Sequence, residues 1–310
     1  MKEYVLNYYP TFKCIASECK HTCCAGWQMN IDEQSLCAYK SEKSEFAKVL
    51  EKGIDFKKSQ FKADKNGRCA FLNDKNLCEI IINLGEQSLC QVCRDHPRFR
   101  TFFDDRVETG LGFSCEQACK IILTFNDKIA PVLISDDGKE NTLDFNQKNV
   151  LEFREKVLDI VQDKSEDINQ RIEKVLQLCK ANVSDKDFIK VIKTFLKLEK
   201  LDKSWAQRLK ALKKSTFERQ TSNALSHYAE QFLSNSLYRH LYDAEDTMWV
   251  RTRTIACVLS WWLIKGMIAQ EGIESLDGVI DVVRQFSAEV EYSQNNLEKL
   301  FAFAYKFIKL

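Results

Sequence analysis

Cys14-Ile15-Ala16-Ser17-Glu18-Cys19-Lys20-His21-Thr22-Cys23-Cys24 sets the terms on which the front of this chain folds. It holds four thiols, spaced C-x4-C-x3-C-C, and almost nothing apolar. A second group follows at Cys69, Cys78, Cys90 and Cys93, a third at Cys115 and Cys119, and Cys37 stands alone between them. Eleven of the thirteen cysteines fall in the first 119 residues. Thiolates are the ligands of zinc and iron–sulfur centres, so such crowding points to a soft metal centre that makes up for a thin core. Cys90-x2-Cys93 has knuckle spacing, and His96 and His21 are histidine candidates beside the thiols. The first group matches neither a zinc-finger pair nor the C-x3-C-x2-C triplet of standard radical enzymes, since Gly26 stands where the third cysteine would be. Neighbouring side chains diverge, so Cys23 and Cys24 serve different metals or one of them is not a ligand.

The opening residues Met1–Pro10 have neither the apolar run nor the small cleavage residues of a signal peptide, and the sequence predicts a cytoplasmic protein with reduced thiols. The run Ile255–Ile264 meets Lys265 well short of the roughly 20 apolar residues that a membrane span needs, so it reads as a buried core helix. Forty-six basic side chains balance forty-five acidic ones, a formal charge of +1, which gives no sign of a nucleic-acid binder.

The two halves differ in grammar. All three prolines and seven of the ten glycines come before residue 139. Beyond it, apolar residues recur at three- and four-residue steps through Val150–Val161, Arg171–Cys179 and Phe188–Leu196. Longer helices are expected over 217–242, 246–271 and 292–308. The polar stretch Asp136–Asn141 reads as a junction. The predicted fold class is mainly α. An irregular cysteine-rich, metal-binding N-terminal domain over 1–135 precedes an α-helical domain over 142–310. The Gly110-Leu111-Gly112 step lacks a third glycine and a Rossmann context, so it does not read as a cofactor loop.

Phe12-Lys13-Cys14 through Cys23-Cys24-Ala25-Gly26-Trp27-Gln28-Met29-Asn30-Ile31-Asp32 resembles the opening of the flagellin lysine-N-methylase family, which is related to the CxxCxxCC group of zinc- or iron-chelating domains. The resemblance continues through Cys69-Ala70-Phe71-Leu72, Leu77-Cys78-Glu79-Ile80, Cys93 with His96-Pro97-Arg98, and Leu111-Gly112-Phe113-Ser114-Cys115-Glu116. It grows weaker toward Phe286–Leu297. It implies eight metal ligands: Cys14, Cys19, Cys23, Cys24, Cys69, Cys78, Cys93 and Cys115. Cys37, Cys90 and Cys119 lie outside the pattern, with Cys90 kept as a candidate by its spacing. Where the family tends to carry a histidine after a glutamate near the C-terminus, this chain has Glu291-Tyr292.

The resemblance further implies a protein-lysine N-methyltransferase acting on flagellin, with S-adenosylmethionine as methyl donor and a cysteine-held iron–sulfur cluster of the [4Fe–4S] kind, zinc being the alternative metal. The rival expectation is a non-catalytic zinc- or iron-binding module whose helical half binds a partner protein. No catalytic residue and no donor site can be assigned from the sequence. Asp32, Glu79, Glu108 and Glu116 are the acidic candidates beside the cysteine motifs, and Arg94, Arg98 and Arg100 the basic ones. The bland alternative for each is a helix cap or a solvated charge. Lys203, Arg208, Lys210, Lys213, Lys214 and Arg219 form a basic stretch that reads as a solvated helix face or as a seat for an acidic partner.

Overall fold

A computed structural model of the chain describes residues 1–139, 141–214, 219–242 and 246–309. In chain order the elements are β1 (Lys2–Leu6), α1 (Glu33–Ser41), α2 (Ala47–Gly53), β2 (Ile54–Asp55), β3 (Gln60–Phe61), α3 (Glu79–Leu84), α4 (Gln91–Asp95), β4 (Arg98–Phe102), β5 (Arg106–Leu111), α5 (Glu116–Leu123) and β6 (Pro131–Asp136). The helices α6 (Phe145–Val161), α7 (Ile168–Leu178), α8 (Asp185–Phe195), α9 (Lys203–Leu212), α10 (Asn223–His240), α11 (Thr247–Gln270), α12 (Leu276–Phe286) and α13 (Gln294–Ala304) follow. The chain divides into two compact units, one of Lys13–Pro97 and one of Met1–Phe12 with Arg98–Leu310.

The unit of Lys13–Pro97 has little regular structure. Its loops are tied by single backbone bridges: Ala25 to Arg68, Asn30 to Gln60, Ala63 to Cys69 and Leu72 to Cys78. The Cys69 amide donates to the Cys24 carbonyl at 2.9 Å, so backbone pairing joins the first and second cysteine groups. Gly26 and Gly67 meet at this crossing with φ of +87° and +76°, and the Gly26 amide donates to the Gly67 carbonyl. Only glycine adopts that conformation cheaply. A small core of Met29, Ile31, Leu50, Ile54, Phe61, Phe71 and Ile80 closes the unit, with Cys69 and Cys90 inside it. Asp32 caps α1 by accepting from the Ser35 amide at 2.9 Å, and its other oxygen accepts from the Gln91 amide at 2.7 Å. The Phe71 ring lies against Gly53, where an added Cβ would stand 2.4 Å from Cζ. Gly53→Ala is therefore expected to cost about 1–3 kcal/mol of stability by overpacking, read from the urea midpoint.

The larger unit is built on helices. α11 is buried on all sides from Thr254 to Ile268, as its unbroken apolar run requires. Lys265 is buried within it, and its ammonium reaches the Gln220 carbonyl at 2.7 Å. Among the described residues no helix is long and apolar enough to cross a membrane. α6, α7 and α8 stand where the periodic runs placed them. α8 starts with a capping box between Ser184 and Asp187. Trp205, Phe188, Phe195, Phe232, Trp261 and Phe286 fill the centre.

The expectation of a mainly α fold is met in part. The first strand, β1, lies inside a four-stranded sheet of order β4-β5-β1-β6, parallel to β5 and antiparallel to β6. The fold is mixed, predominantly helical with a small N-terminal sheet. The sheet and α5 share one core with the helices, through Leu6, Tyr8, Leu111, Phe113 and Ile122. The sheet thus falls within the unit of Met1–Phe12 and Arg98–Leu310. The expected helix over 217–242 falls partly outside the described residues, as does Glu140 in the expected junction.

Candidate functional site

In the Lys13–Pro97 unit, five sulfurs sit on or against the small core: Cys24, Cys69, Cys78, Cys90 and Cys93. Cys78 and Cys90 are the N-caps of α3 and α4. The thiols perturb one another. A hydrogen bond from Cys23 brings the Cys24 thiol down to about 7 against the cost of burial, helped by Thr22 and the charge of Arg68. Burial pushes Cys69 up to about 12 and also raises Cys78, and the charges of Cys24 and Cys90 act on both in the same direction. Cys90 and Cys93 share a hydrogen bond that lowers Cys90 and raises Cys93. Cys14 and Cys37 are exposed, whereas Cys115 belongs to the larger unit as the N-cap of α5.

As a donor set these thiols suit a soft metal centre. Their geometry does not close one. Among the described residues, no three His, Cys, Asp or Glu side chains converge closely enough to hold a metal ion. The cysteines of this unit are electrostatic neighbours rather than a finished ligand shell. Cys90, which the spacing alone kept as a candidate, is buried in this group beside Cys93.

Asp32, Glu79 and Glu108 have structural work. Asp32 is a cap, and Glu79 accepts from the side-chain amides of Asn73 and Asn83. Glu108 is buried against Arg154 at 2.8 Å. From the basic stretch, Arg208 reaches Glu271, Asp281 and Gln285, and Arg219 reaches the Val183 carbonyl. Gly110 lies in β5 against the Phe99 ring, in a strand rather than a cofactor loop.

The larger unit contains a cavity of about 810 Å³ between β4, the end of α10, the start of α11 and α13. Its floor is Glu291, the last residue of a π-helical turn over Ser287–Glu291 that follows α12 directly. Such turns insert one residue and re-aim the side chains around them. Both Glu291 oxygens are engaged: Oε1 accepts from His240 Nε2 at 2.9 Å, and Oε2 accepts from Arg239 Nη1 at 3.1 Å and from the Ser287 hydroxyl at 2.5 Å. Burial alone would raise this carboxyl, but the Arg239 charge and the bonds from His240 and Ser287 outweigh it and hold it at about 2. Burial lowers His240, and the bond to Glu291 only partly opposes this, so the ring is neutral at pH 7 and donates its Nε2–H. Arg239 stacks over Tyr292 at 4.8 Å and near Phe99 at 5.9 Å. Arg253 donates to the carbonyls of His240 and Tyr242 and lies over the rings of Tyr242, Trp249 and Phe301. Trp249 is 42% exposed at the rim.

The sequence contained one trace of this site, the weak echo across Phe286–Leu297 that includes Glu291. Arg239 and His240 carried no signal because their partner, Glu291, lies about fifty residues away.

Both titrating groups at the floor are lowered by folding, which fixes the sign of their linkage. The His240 contribution is complete above its unfolded value of 6.5 and that of Glu291 above 4.5; each is lost as pH falls through the folded value, near 2 for Glu291. Stability should therefore hold above neutrality and begin to fall below about pH 6.5, the range in which histidine titrates. His240→Gln should flatten that first slope, as measured by urea midpoints across a pH series.

An open cavity of small-molecule size in one unit and a thiol-rich second unit are the two chemical features of this cysteine-rich chain. Residues 111–307, more than half of the chain, match the FliB lysine N-methylase C-terminal domain, and the chain belongs to that family. It is 26% identical over 141 residues to a lysine-N-methylase of Salmonella typhimurium, covering 42% of this chain and 35% of that protein. A flagellar biosynthetic protein FliU of Salmonella muenchen matches at 26% over 141 residues, with 83% of its length covered. The match spans about a third of the lysine-N-methylase. No solved structure matches the chain significantly.

Proposed function

We propose that this protein transfers methyl groups from S-adenosylmethionine to lysine side chains of flagellin and holds an iron–sulfur cluster on its cysteines. The observation that carries this reading is the family match over 111–307, which covers the helices that build the cavity. The lysine Nζ lone pair attacks the sulfonium methyl in line. The carbon–sulfur bond breaks with its electron pair going to sulfur, leaving a thioether and a methylated ammonium that then loses a proton. The amine must first be deprotonated, against a reference pKa of about 10.4, and aligned with the donor. Glu291 is a poor proton acceptor, being held at about 2 by three donors. Its work is to fix Arg239 and His240.

The ligand candidates for the cluster are Cys14, Cys19, Cys23, Cys24, Cys69, Cys78, Cys93 and Cys115. Support is best for Cys24, Cys69, Cys78 and Cys93, together with Cys90, because they share one small core. A cluster would supply a redox-capable iron centre. Methyl transfer to an amine needs no electron, so such a centre would serve in binding or order. Label transferred from methyl-tritiated S-adenosylmethionine to purified flagellin tests the reading. Unlabelled flagellin, together with a colourless protein carrying stoichiometric zinc, would favour the non-catalytic metal-binding module.

A further inference from the structure

We propose that the solvent face of α8, α9 and the turn between them is a docking surface for an anionic lipid bilayer. Ten basic and four acidic residues fall within 185–214, a local charge of +6 in a chain whose total is +1. Folding sorts these charges from the apolar side chains. α8 buries Phe188, Val191, Ile192 and Phe195, and it leaves Lys186, Lys190, Lys193 and Lys197 exposed at helical spacing. α9 repeats the division: Trp205, Leu209 and Leu212 are buried, and Lys203, Lys210 and Lys214 are exposed at matching positions. The two helices pack against each other, so both rows belong to one piece of the larger unit. The tail past α13 adds to it, since the Lys309 amide donates to the Lys180 carbonyl just before α8.

The acidic side chains of this segment are drawn to helix ends. Asp187 closes the capping box of α8 and pairs with Lys190, and Asp202 caps α9. Arg208 is engaged by Glu271 and Asp281. The cations left for the surface are lysines, point charges that suit a diffuse anionic surface better than the bidentate recognition at which arginine excels. The three aromatic residues of the segment, Phe188, Phe195 and Trp205, are all buried, so none offers a base a stacking platform.

A merely solvated helix face would have no use for large aliphatic side chains in water, yet two stand among these lysines. Ile189 is 47% exposed on the α8 row, and Leu201 is 61% exposed in the turn. The turn at Leu201 is held from beneath. Buried Glu289 accepts from the Leu201 amide at 2.8 Å and from the Asp202 amide at 2.7 Å, one with each oxygen. Leu201 thus stays in solvent on a fixed backbone, with Lys200 and Lys203 beside it in sequence. Lysines around an exposed aliphatic tip combine attraction to anionic headgroups with burial of the tip at the acyl boundary.

The test is sedimentation of the full chain with vesicles of phosphatidylcholine alone or mixed equally with phosphatidylglycerol. The mixed vesicles should carry the protein down and the neutral ones should not. Raising salt from about 50 to about 500 mM should release it, because screening shortens the reach of the lysines. Each lysine at such a surface is worth about fivefold in affinity, so Lys193→Gln, Lys197→Gln, Lys203→Gln and Lys210→Gln together should weaken binding about 500-fold. Leu201→Ser, which leaves the charge alone, should weaken it about tenfold. All five positions are exposed, so circular dichroism and the thermal midpoint should stay unchanged. Protein that ignores the mixed vesicles, or a fourfold variant that still sediments with them, overturns the proposal whether or not flagellin is methylated. So does tighter binding to an oligonucleotide or to polyglutamate with no effect of Leu201→Ser, which would reassign the patch to a nucleic acid or an acidic protein.

Discussion

Glu291→Ala should cost about 3–5 kcal/mol of stability, the penalty for stranding a buried charge. The carboxylate is 8% exposed and satisfies Arg239, His240 and Ser287 together. Its removal leaves a guanidinium in a site from which water is largely excluded, and a neutral imidazole whose N–H has lost its acceptor. Glu291→Gln should lose less, since the amide oxygen still accepts from one donor. The double variant Arg239→Met, Glu291→Leu should regain most of the stability, because replacing a buried ion pair by apolar side chains is often neutral. Urea unfolding of the four proteins gives the energies, and the split between the double and single variants separates packing from charge.

Loss of the buried thiols should have an equally large effect on composition. Anaerobically purified protein should be brown and carry about four iron and four sulfide per chain, the content of a four-cysteine [4Fe–4S] centre. Cys69→Ser and Cys93→Ser should each remove most of it. These residues lie in the small core of the Lys13–Pro97 unit, which has little else to close it. The same variants should therefore lower that unit's resistance to proteolysis, as metal-stapled folds do when the metal is lost. Cys37→Ser, at an exposed position of α1, should leave iron, sulfide and proteolysis unchanged. Iron content that persists in all three variants would exclude this set as the ligands.

Much of the helical half could be read from its periodicity. α6, α7 and α8 fall on runs in which apolar residues recur every three or four positions, and α11 declares itself by an uncharged apolar stretch that ends at Lys265. The sheet could not be read this way. β1 has only two fully buried residues, and β6 turns Val132, Leu133 and Ile134 outward, so neither alternates in the way a half-buried strand should. The partner of β1 lies a hundred residues away in β5, which is why Met1–Phe12 joins the later unit. The cysteine groups were plain in the sequence because ligand-type residues crowd locally. The cavity was not, because Arg100, Arg239, Arg253 and Glu291 become neighbours only through the packing of β4, α10, α11 and the π turn. That turn itself leaves no sequence mark.

Intact-mass measurement of flagellin tests most directly whether the chain has the proposed lysine-methylating activity. Flagellin incubated with the anaerobically purified protein and S-adenosylmethionine should gain mass in steps of about 14 Da on its lysines. Flagellin that keeps its unmodified mass with iron-replete protein and fresh donor would contradict the account.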